Sequence, residues 1–189
     1  MLLIINFKVV TMILPKSFYA KDAAVVARNL LGKILTRRIG EKILSGKIVE
    51  TEAYFGEKDP ASRAFGGKIT KISKWMYEGP GTVLVYMVHA NWLFNVITGK
   101  KGDPQGVLIR AVEPINFKGD TSGPGKLTRA LKISGIHSGL NVCDKNSEII
   151  ICEGKNETIK IGRSYRIGVR KDLSQKLRFF IIGNKFVSK

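Results

Sequence analysis

The stretch Ile48-Val49-Glu50-Thr51-Glu52-Ala53-Tyr54 decides how this chain is read. β-Branched residues open it and an aromatic closes it, the composition of a β-strand. Side chains two apart on a strand share a face. Glu50, Glu52 and Tyr54 therefore point one way, and Thr51 and Ala53 the other. The expected result is a row of carboxylates beside an aromatic ring, held on rigid backbone. Two carboxylates on one face raise the pKa of one of the pair, and a buried strand Glu can serve as a general base on water. A lone strand Glu more often faces solvent in an ion pair. The neighbours Glu50 and Tyr54 are what turn Glu52 towards chemistry.

Outward from that strand, the sequence reads as many short strands with few helices. Ile34 to Ile39 and Ile43 to Tyr54 form a hairpin turning at Gly40-Glu41-Lys42. Before it, Pro15 to Tyr19 reads as an extended entry, and Asp22 to Leu31 has helical apolar spacing that stops at Gly32. After it come a polar, glycine-containing loop from Phe55 to Gly67 and a short basic helix over Ile69 to Tyr77. Gly79-Pro80-Gly81 is a turn. Strands follow at Thr82 to Val88, Leu93 to Thr98 and Val107 to Val112. Gly123-Pro124-Gly125 introduces a helix from Lys126 to Ile133. Four further short strands complete the chain: Glu148 to Cys152, Thr158 to Ile161, Tyr165 to Val169 and Leu177 to Ile182. Little βαβ alternation is present, so the expected fold is α+β: a single domain, residues 12–189, with a curved, mainly antiparallel β-sheet and a few flanking helices. Residues 1–11 are apolar but too short to span a bilayer. They read as an N-terminal extension or an over-extended start ahead of Met12. With no signal-peptide pattern, the expected location is the cytosol, with the nucleoid.

The chain has 189 residues and a formal net charge of +17. Its hydrophobic content of 44% supports a packed core and excludes a disordered chain. Lys and Arg are spread from end to end rather than gathered in a tail. A basic folded face follows, with nucleic acid as the first partner and an anionic membrane as the second. Cys143 and Cys152 form no CxxC pair, and the only histidines are His89 and His137. No metal site or disulfide framework is expected, and both thiols read as reduced.

Other residues add to the strand's carboxylates. Tyr54, Tyr86 and His89 are flat groups near polar loops, and flat groups stack nucleobases. Core packing is the better reading for Trp75, Trp92 and most Phe. Arg110 is a charge within the apolar run Val107-Leu108-Ile109-Arg110-Ala111-Val112, and it needs a partner. Glu52, Glu113 or a phosphate would serve. Gly123-Pro124-Gly125-Lys126 sets a glycine turn and a lysine at a helix start, a weak anion signal without the full phosphate-loop pattern.

A series of motifs then occurs in order: Leu14-Pro15-Lys16-Ser17-Phe18-Tyr19, Val49-Glu50-Thr51-Glu52-Ala53-Tyr54, Gly79-Pro80-Gly81-Thr82, the Tyr86 to Asn95 strand pair, Leu108-Ile109-Arg110-Ala111-Val112-Glu113-Pro114, Gly123-Pro124-Gly125-Lys126-Leu127 and Arg166-Ile167-Gly168-Val169. Together they resemble the alkyladenine (3-methyladenine) DNA glycosylase family from about Met12 onward. The resemblance implies a monofunctional base-excision enzyme that flips a damaged purine out of duplex DNA and hydrolyses its N-glycosidic bond. By the same resemblance, Glu52 is the general base that deprotonates the attacking water, helped by Arg110 and the backbone carbonyl of Ile167. Tyr54 and Tyr86 stack on the extruded base from opposite sides, and Asn95 disfavours normal guanine. Thr70 and Gly168 touch DNA, with Lys126 at the DNA face. Cationic alkylated bases are expected to gain further from the aromatic faces. Water as nucleophile needs no metal or cofactor, and no lysine stands ready for Schiff-base chemistry. The partner is double-stranded DNA bearing damaged purines, met by a monomer, with no membrane involved.

Two positions depart from the family pattern. Arg63 stands where the family usually carries a pocket histidine, and Arg is larger and always charged. His89 stands where a tyrosine wedges into the duplex, and the segment from there to Asn95 is one residue shorter than usual. Two other classes fit the charge and carboxylates more loosely. One is a metal-dependent nuclease using Glu50 and Glu52, which a chelator would stop. The other is a non-catalytic nucleic-acid-binding protein, in which Glu52→Gln would leave binding intact.

Overall fold

The computed structural model describes residues 12–188. The expected N-terminal extension lies outside them. The hairpin forms with β1 (Ile34–Ile39) paired antiparallel to β2 (Lys42–Tyr54), and Gly40 supplies the positive φ of 57° at the turn. The remaining strands are β3 (Val83–Val88), β4 (Asn91–Thr98), β5 (Gln105–Pro114), β6 (Ile149–Cys152), β7 (Ile161–Ser164) and β8 (Arg178–Ile181). They build one curled antiparallel sheet in the order β3-β4-β5-β2-β1-β6, with β8 joined to β2 and β7 to β8. The architecture is α+β in a single domain, as the short alternating strands imply.

β2 is the organising strand. β5 runs along one edge from Gly46 to Tyr54. On the other edge β1 covers Lys42 to Lys47 and β8 covers Glu50 to Glu52. The β2–β5 register slips twice around Glu50: Ile48 faces Val112, Glu50 faces Ala111, and Thr51 faces Ile109. Val49 and Arg110 are thereby left without a direct cross-strand partner. Such bulges bend a strand and re-aim side chains. Here they fall where two carboxylates and an arginine must meet.

α1 (Lys16–Tyr19), α2 (Ala23–Asn29) and α3 (Pro124–Ala130) cover the sheet. Asp22 caps α2 by accepting from the backbone N–H groups of Ala24 and Val25. α2 buries Ala23, Val26 and Ala27, and Thr51 on the far face of β2 donates its hydroxyl to Ala27 O at 2.8 Å. The main core joins Val26, Leu30, Leu35, Ile48, Phe94 and Ile109, all without solvent exposure. Each such side chain contributes roughly 1.5–3 kcal/mol by leaving water. A second, smaller apolar cluster of Ala64, Met76, Leu84 and Ile97 lies apart from it, with Tyr86 packed against it.

Several expectations differ from the structure. Pro15 to Tyr19 is not extended: Lys16–Tyr19 closes a helical turn through Ala20 N–H to Lys16 O at 3.1 Å, and Tyr19 is buried beneath it. The basic helix is only a 3₁₀ turn, Ser73–Tyr77. α3 starts at Pro124, whose fixed φ suits a first helical position. It ends when Lys132 adopts a positive φ of 51° and Ile133 N–H bonds back to Thr128 O at 2.8 Å, a Schellman closure. The strand expected at Thr158 to Ile161 is displaced to β7. Tyr165 to Val169 is not a strand, because the Asp172 carboxylate accepts from both Arg166 N and the Arg166 guanidinium and folds the segment into a loop.

Candidate active site

Glu52 is fully buried. Two groups donate to it, Ile167 N–H to Oε1 at 2.8 Å and Tyr54 Oη to Oε2 at 2.8 Å, and Arg110 Nη1 forms an ion pair with Oε1 at 3.1 Å. Burial pushes its pKa above the ordinary 4.5. Arg110, the Ile167 amide and Tyr54 pull the other way without cancelling it, and Glu50 adds a small upward push. The carboxyl is thus a stronger base than an exposed glutamate. The sequence expectation assigned much of that shift to Glu50; desolvation is the larger cause.

Arg110 binds both carboxylates. Its Nε donates to Glu50 Oε1 at 2.9 Å while Nη1 reaches Glu52. Glu113, the other partner considered from sequence, pairs with Lys47 instead, at 3.1 Å. Glu50 also accepts from Arg178 Nε at 2.6 Å and from the backbone N–H and hydroxyl of Ser188, each at 2.7 Å. Arg178 and Ser188 had no signal in the sequence, since they lie 128 and 138 residues from Glu50.

Tyr54 and Tyr86 border one cavity, together with Arg63 and Asn95, over a floor of Met76, Leu84 and Ile97. The floor is the second apolar cluster, so the site has its own small core. Asn95 is buried, and its Nδ2 donates to Leu84 O and Leu93 O at 3.2 and 3.1 Å. The cavity holds only about 10 Å³, room for one water and none for a purine. Arg63 closes it: its guanidinium carbon lies 4.6 Å from the centre of the Tyr86 ring. A second guanidinium, Arg166, lies 4.5 Å from the Tyr54 ring centre. Arg166 is itself clamped by Asp59 at 2.6 and 2.9 Å, by Asp172 at 2.6 Å and by Ala53 O at 3.0 Å. Sequence reading overlooked this Asp59–Arg166–Asp172 cluster, which ties the loop carrying Ile167 to the end of β2. Ile167 reaches Glu52 through its N–H.

The remaining residues make no hydrogen bond or ion pair with Glu52 among the described residues. His89 and Ala90 form the exposed two-residue turn between β3 and β4, with φ of 46° and 59°. Such positive values at both central positions are those of a type I′ hairpin. Thr70 accepts from the N–H groups of Ile72 and Ser73 at 3.2 and 3.0 Å, just ahead of the 3₁₀ turn. Lys126 on α3 pairs with Asp120 at 2.8 Å. Gly168 has a φ of 76° with open space where a side chain would sit. Cys143 and Cys152 are free, and burial pushes both thiols up to about 11. No helix among the described residues is long and apolar enough to cross a membrane.

A fully buried carboxylate of raised pKa thus lies two residues along β2 from Tyr54, which borders an aromatic-walled cavity, on a strongly basic chain. A family model described as methylpurine-DNA glycosylase matches residues 17–185. A relative from Aeropyrum pernix is 41% identical over 182 residues, covering 94% of this chain and 93% of its own. A relative from Borreliella burgdorferi strain ZS7 is 39% identical, covering 93% and 100%, and one from Desulfitobacterium hafniense 37%, covering 93% and 98%. All three carry the name "Putative 3-methyladenine DNA glycosylase". The chain belongs to the methylpurine-DNA glycosylase family, enzymes of DNA repair that hydrolyse N-glycosidic bonds.

Proposed function

We propose that this chain is a monofunctional glycosylase that takes a damaged purine out of duplex DNA and hydrolyses its bond to the sugar with a water activated by Glu52. The observation that carries the reading is Glu52 itself: fully buried, raised in pKa, and one residue pair from the cavity wall at Tyr54. A base inside a duplex is out of reach, so extrusion precedes chemistry and costs a few kcal/mol. The His89 turn, exposed at the end of the β3–β4 hairpin, is suited to fill the gap left in the stack. Arg63, exposed and held against Tyr86, swings aside to admit the base between Tyr54 and Tyr86.

In the chemical step the water oxygen bonds to C1′ as the C1′–N bond breaks. The bonding electrons leave with the base, and the water proton passes to Glu52. Arg110 favours the ionised form of Glu52 before that transfer and stays anchored by Glu50. The groups touching Glu52 are an arginine, a tyrosine and a backbone amide. None can form a Schiff base with the opened sugar, which supports simple hydrolysis without strand cleavage. Glu50 is an unpromising magnesium ligand, since two guanidinium groups already occupy it, and this weighs against the nuclease reading.

The test is base release from duplex oligonucleotides carrying one defined lesion each. The parent protein should liberate free base from at least one of them, and Glu52→Gln should not, while still binding the duplex. Equal release by the two proteins would refute the assignment.

A further inference from the structure

Resting on that glycosylase reading, we infer that Arg63 makes the base pocket selective by charge, favouring neutral purines that carry a C6 carbonyl over cationic N-alkylated purines. The stacking surfaces are the first reason. A cation is drawn to an aromatic face by the ring quadrupole, and that attraction would ordinarily reward a positively charged base. Here the Tyr54 wall keeps a guanidinium with a base seated, because Arg166, 4.5 Å from its ring centre, is clamped by Asp59 and Asp172, whereas Arg63, 4.6 Å from the centre of Tyr86, has to leave that ring. At Tyr54 the expected advantage of a cationic lesion is thereby reduced by the protein's own cation.

The second reason is where the Arg63 charge can go. Arg166 is neutralised by Asp59 and Asp172, and Arg110 by Glu50 and Glu52. Arg63 pairs with no carboxylate among the described residues, and it borders the same cavity. With about 10 Å³ available, a purine enters only when the Arg63 side chain moves. Its Cα stays on the rim, beside the buried Ser62 and Ala64, so the displaced guanidinium remains near the seated base. A cationic base meets an uncompensated like charge there. A neutral base with a carbonyl oxygen meets a planar donor fork and can accept from it.

Hypoxanthine and 7-methylguanine make the comparison direct. Both present a C6 carbonyl, and one is neutral while the other is cationic. Their other differences cancel when variants are compared on the same two duplexes. Single-turnover release rates would be measured for the parent, Arg63→Gln and Arg63→Lys. The ratio of the hypoxanthine rate to the 7-methylguanine rate should fall about tenfold in Arg63→Gln, the size of a like-charge interaction at a half-exposed site. It should stay within about threefold of the parent in Arg63→Lys, which keeps the charge and loses the fork. A ratio unmoved by Arg63→Gln, or lost equally in Arg63→Lys, would overturn charge selection while leaving the catalytic reading intact. A parent that releases neither base would overturn the catalytic reading itself, and the inference with it.

Discussion

Glu50 and Glu52 lie two residues apart on one strand face, both without solvent exposure, and their surroundings divide them. Glu50 accepts four hydrogen bonds, from Arg110, Arg178 and twice from Ser188. Glu52 accepts two, from Tyr54 and the Ile167 amide, and its ion-pair partner Arg110 is shared with Glu50. Its Oε2 takes a single donor, Tyr54. A carboxylate enclosed by two guanidiniums is an anchor: it has nothing left to offer a substrate. A carboxylate with one shared guanidinium and fewer donors, whose neighbour Tyr54 borders the cavity, keeps its basicity available. The same residue type on the same face thus serves structure at one position and chemistry at the next, and what separates them is how many donors reach it.

The largest expected effect separates the two at once. Glu52→Gln should lower base release by about 10²–10⁴, the usual contribution of a positioned general base. It should leave the unfolding free energy unchanged or higher by about 1 kcal/mol, because a poorly compensated buried charge is removed. Chemical denaturation of both proteins checks the second half. A loss of stability comparable to the loss of activity would make Glu52 an anchor too and erase the contrast.

Glu50→Gln should behave the opposite way. Removing the shared partner leaves Arg110 and Arg178 buried against a neutral amide, and breaking such a pair costs about 3–5 kcal/mol. The folded protein should be destabilised by that amount in urea, with activity falling as a consequence of a misaimed Arg110. A stable, inactive Glu50→Gln protein would place the general base at the wrong position.

pH should expose the same asymmetry. The folded-state pKa of Glu52 lies above its unfolded value of 4.5 because burial outweighs its donors. Between the two values the folded protein holds a proton that the unfolded chain has released. The stability this group contributes is therefore full below the unfolded pKa and is lost as pH rises through the folded pKa. Catalysis runs the other way, since only the ionised form accepts a proton from water. Base release should climb with pH on an acidic limb set above the ordinary glutamate range, while the Glu52 share of stability declines over the same interval. A rate profile flat across that interval would mean that Glu52 ionisation does not limit the reaction.

Much of this was legible in the sequence because it is local. Period-two spacing puts Glu50, Glu52 and Tyr54 on one face, and the structure brings them together with Arg110, Tyr86 and Asn95 along adjacent strands. The β1–β2 hairpin follows from apolar runs around Gly40, and α2 from the helical spacing of apolar residues between Asp22 and Leu31. What was hidden is non-local. Arg178 and Ser188 reach Glu50 only after the chain closes, and Asp59 meets Arg166 across 107 residues. Neither pairing leaves a periodic trace. Tyr165 to Val169 has the composition of a strand, yet Asp172 supplies the backbone partner that a sheet neighbour would have supplied. The closure of the base cavity by Arg63 was likewise out of reach, since a residue type announces its charge and not where it rests.

The smallest effect tests the one donor on Glu52 Oε2. Burial and the neighbouring Glu52 hold the Tyr54 hydroxyl well above the usual phenol range, so it stays protonated and keeps donating at any working pH. Tyr54→Phe retains the aromatic wall and removes only that hydrogen bond. The ionised form of Glu52 then loses support, and its pKa moves further in the direction burial already pushes it. Two consequences oppose each other at neutral pH: a smaller fraction of Glu52 is ionised, but the ionised form is a stronger base. The rate near pH 7 should therefore fall by roughly tenfold at most, the scale of one hydrogen bond to a charged group. The acidic limb should shift to higher pH, which a stacking defect alone would not produce. An unshifted limb with a reduced rate would assign Tyr54 to holding the base and leave the burial of Glu52 to account for its reactivity alone.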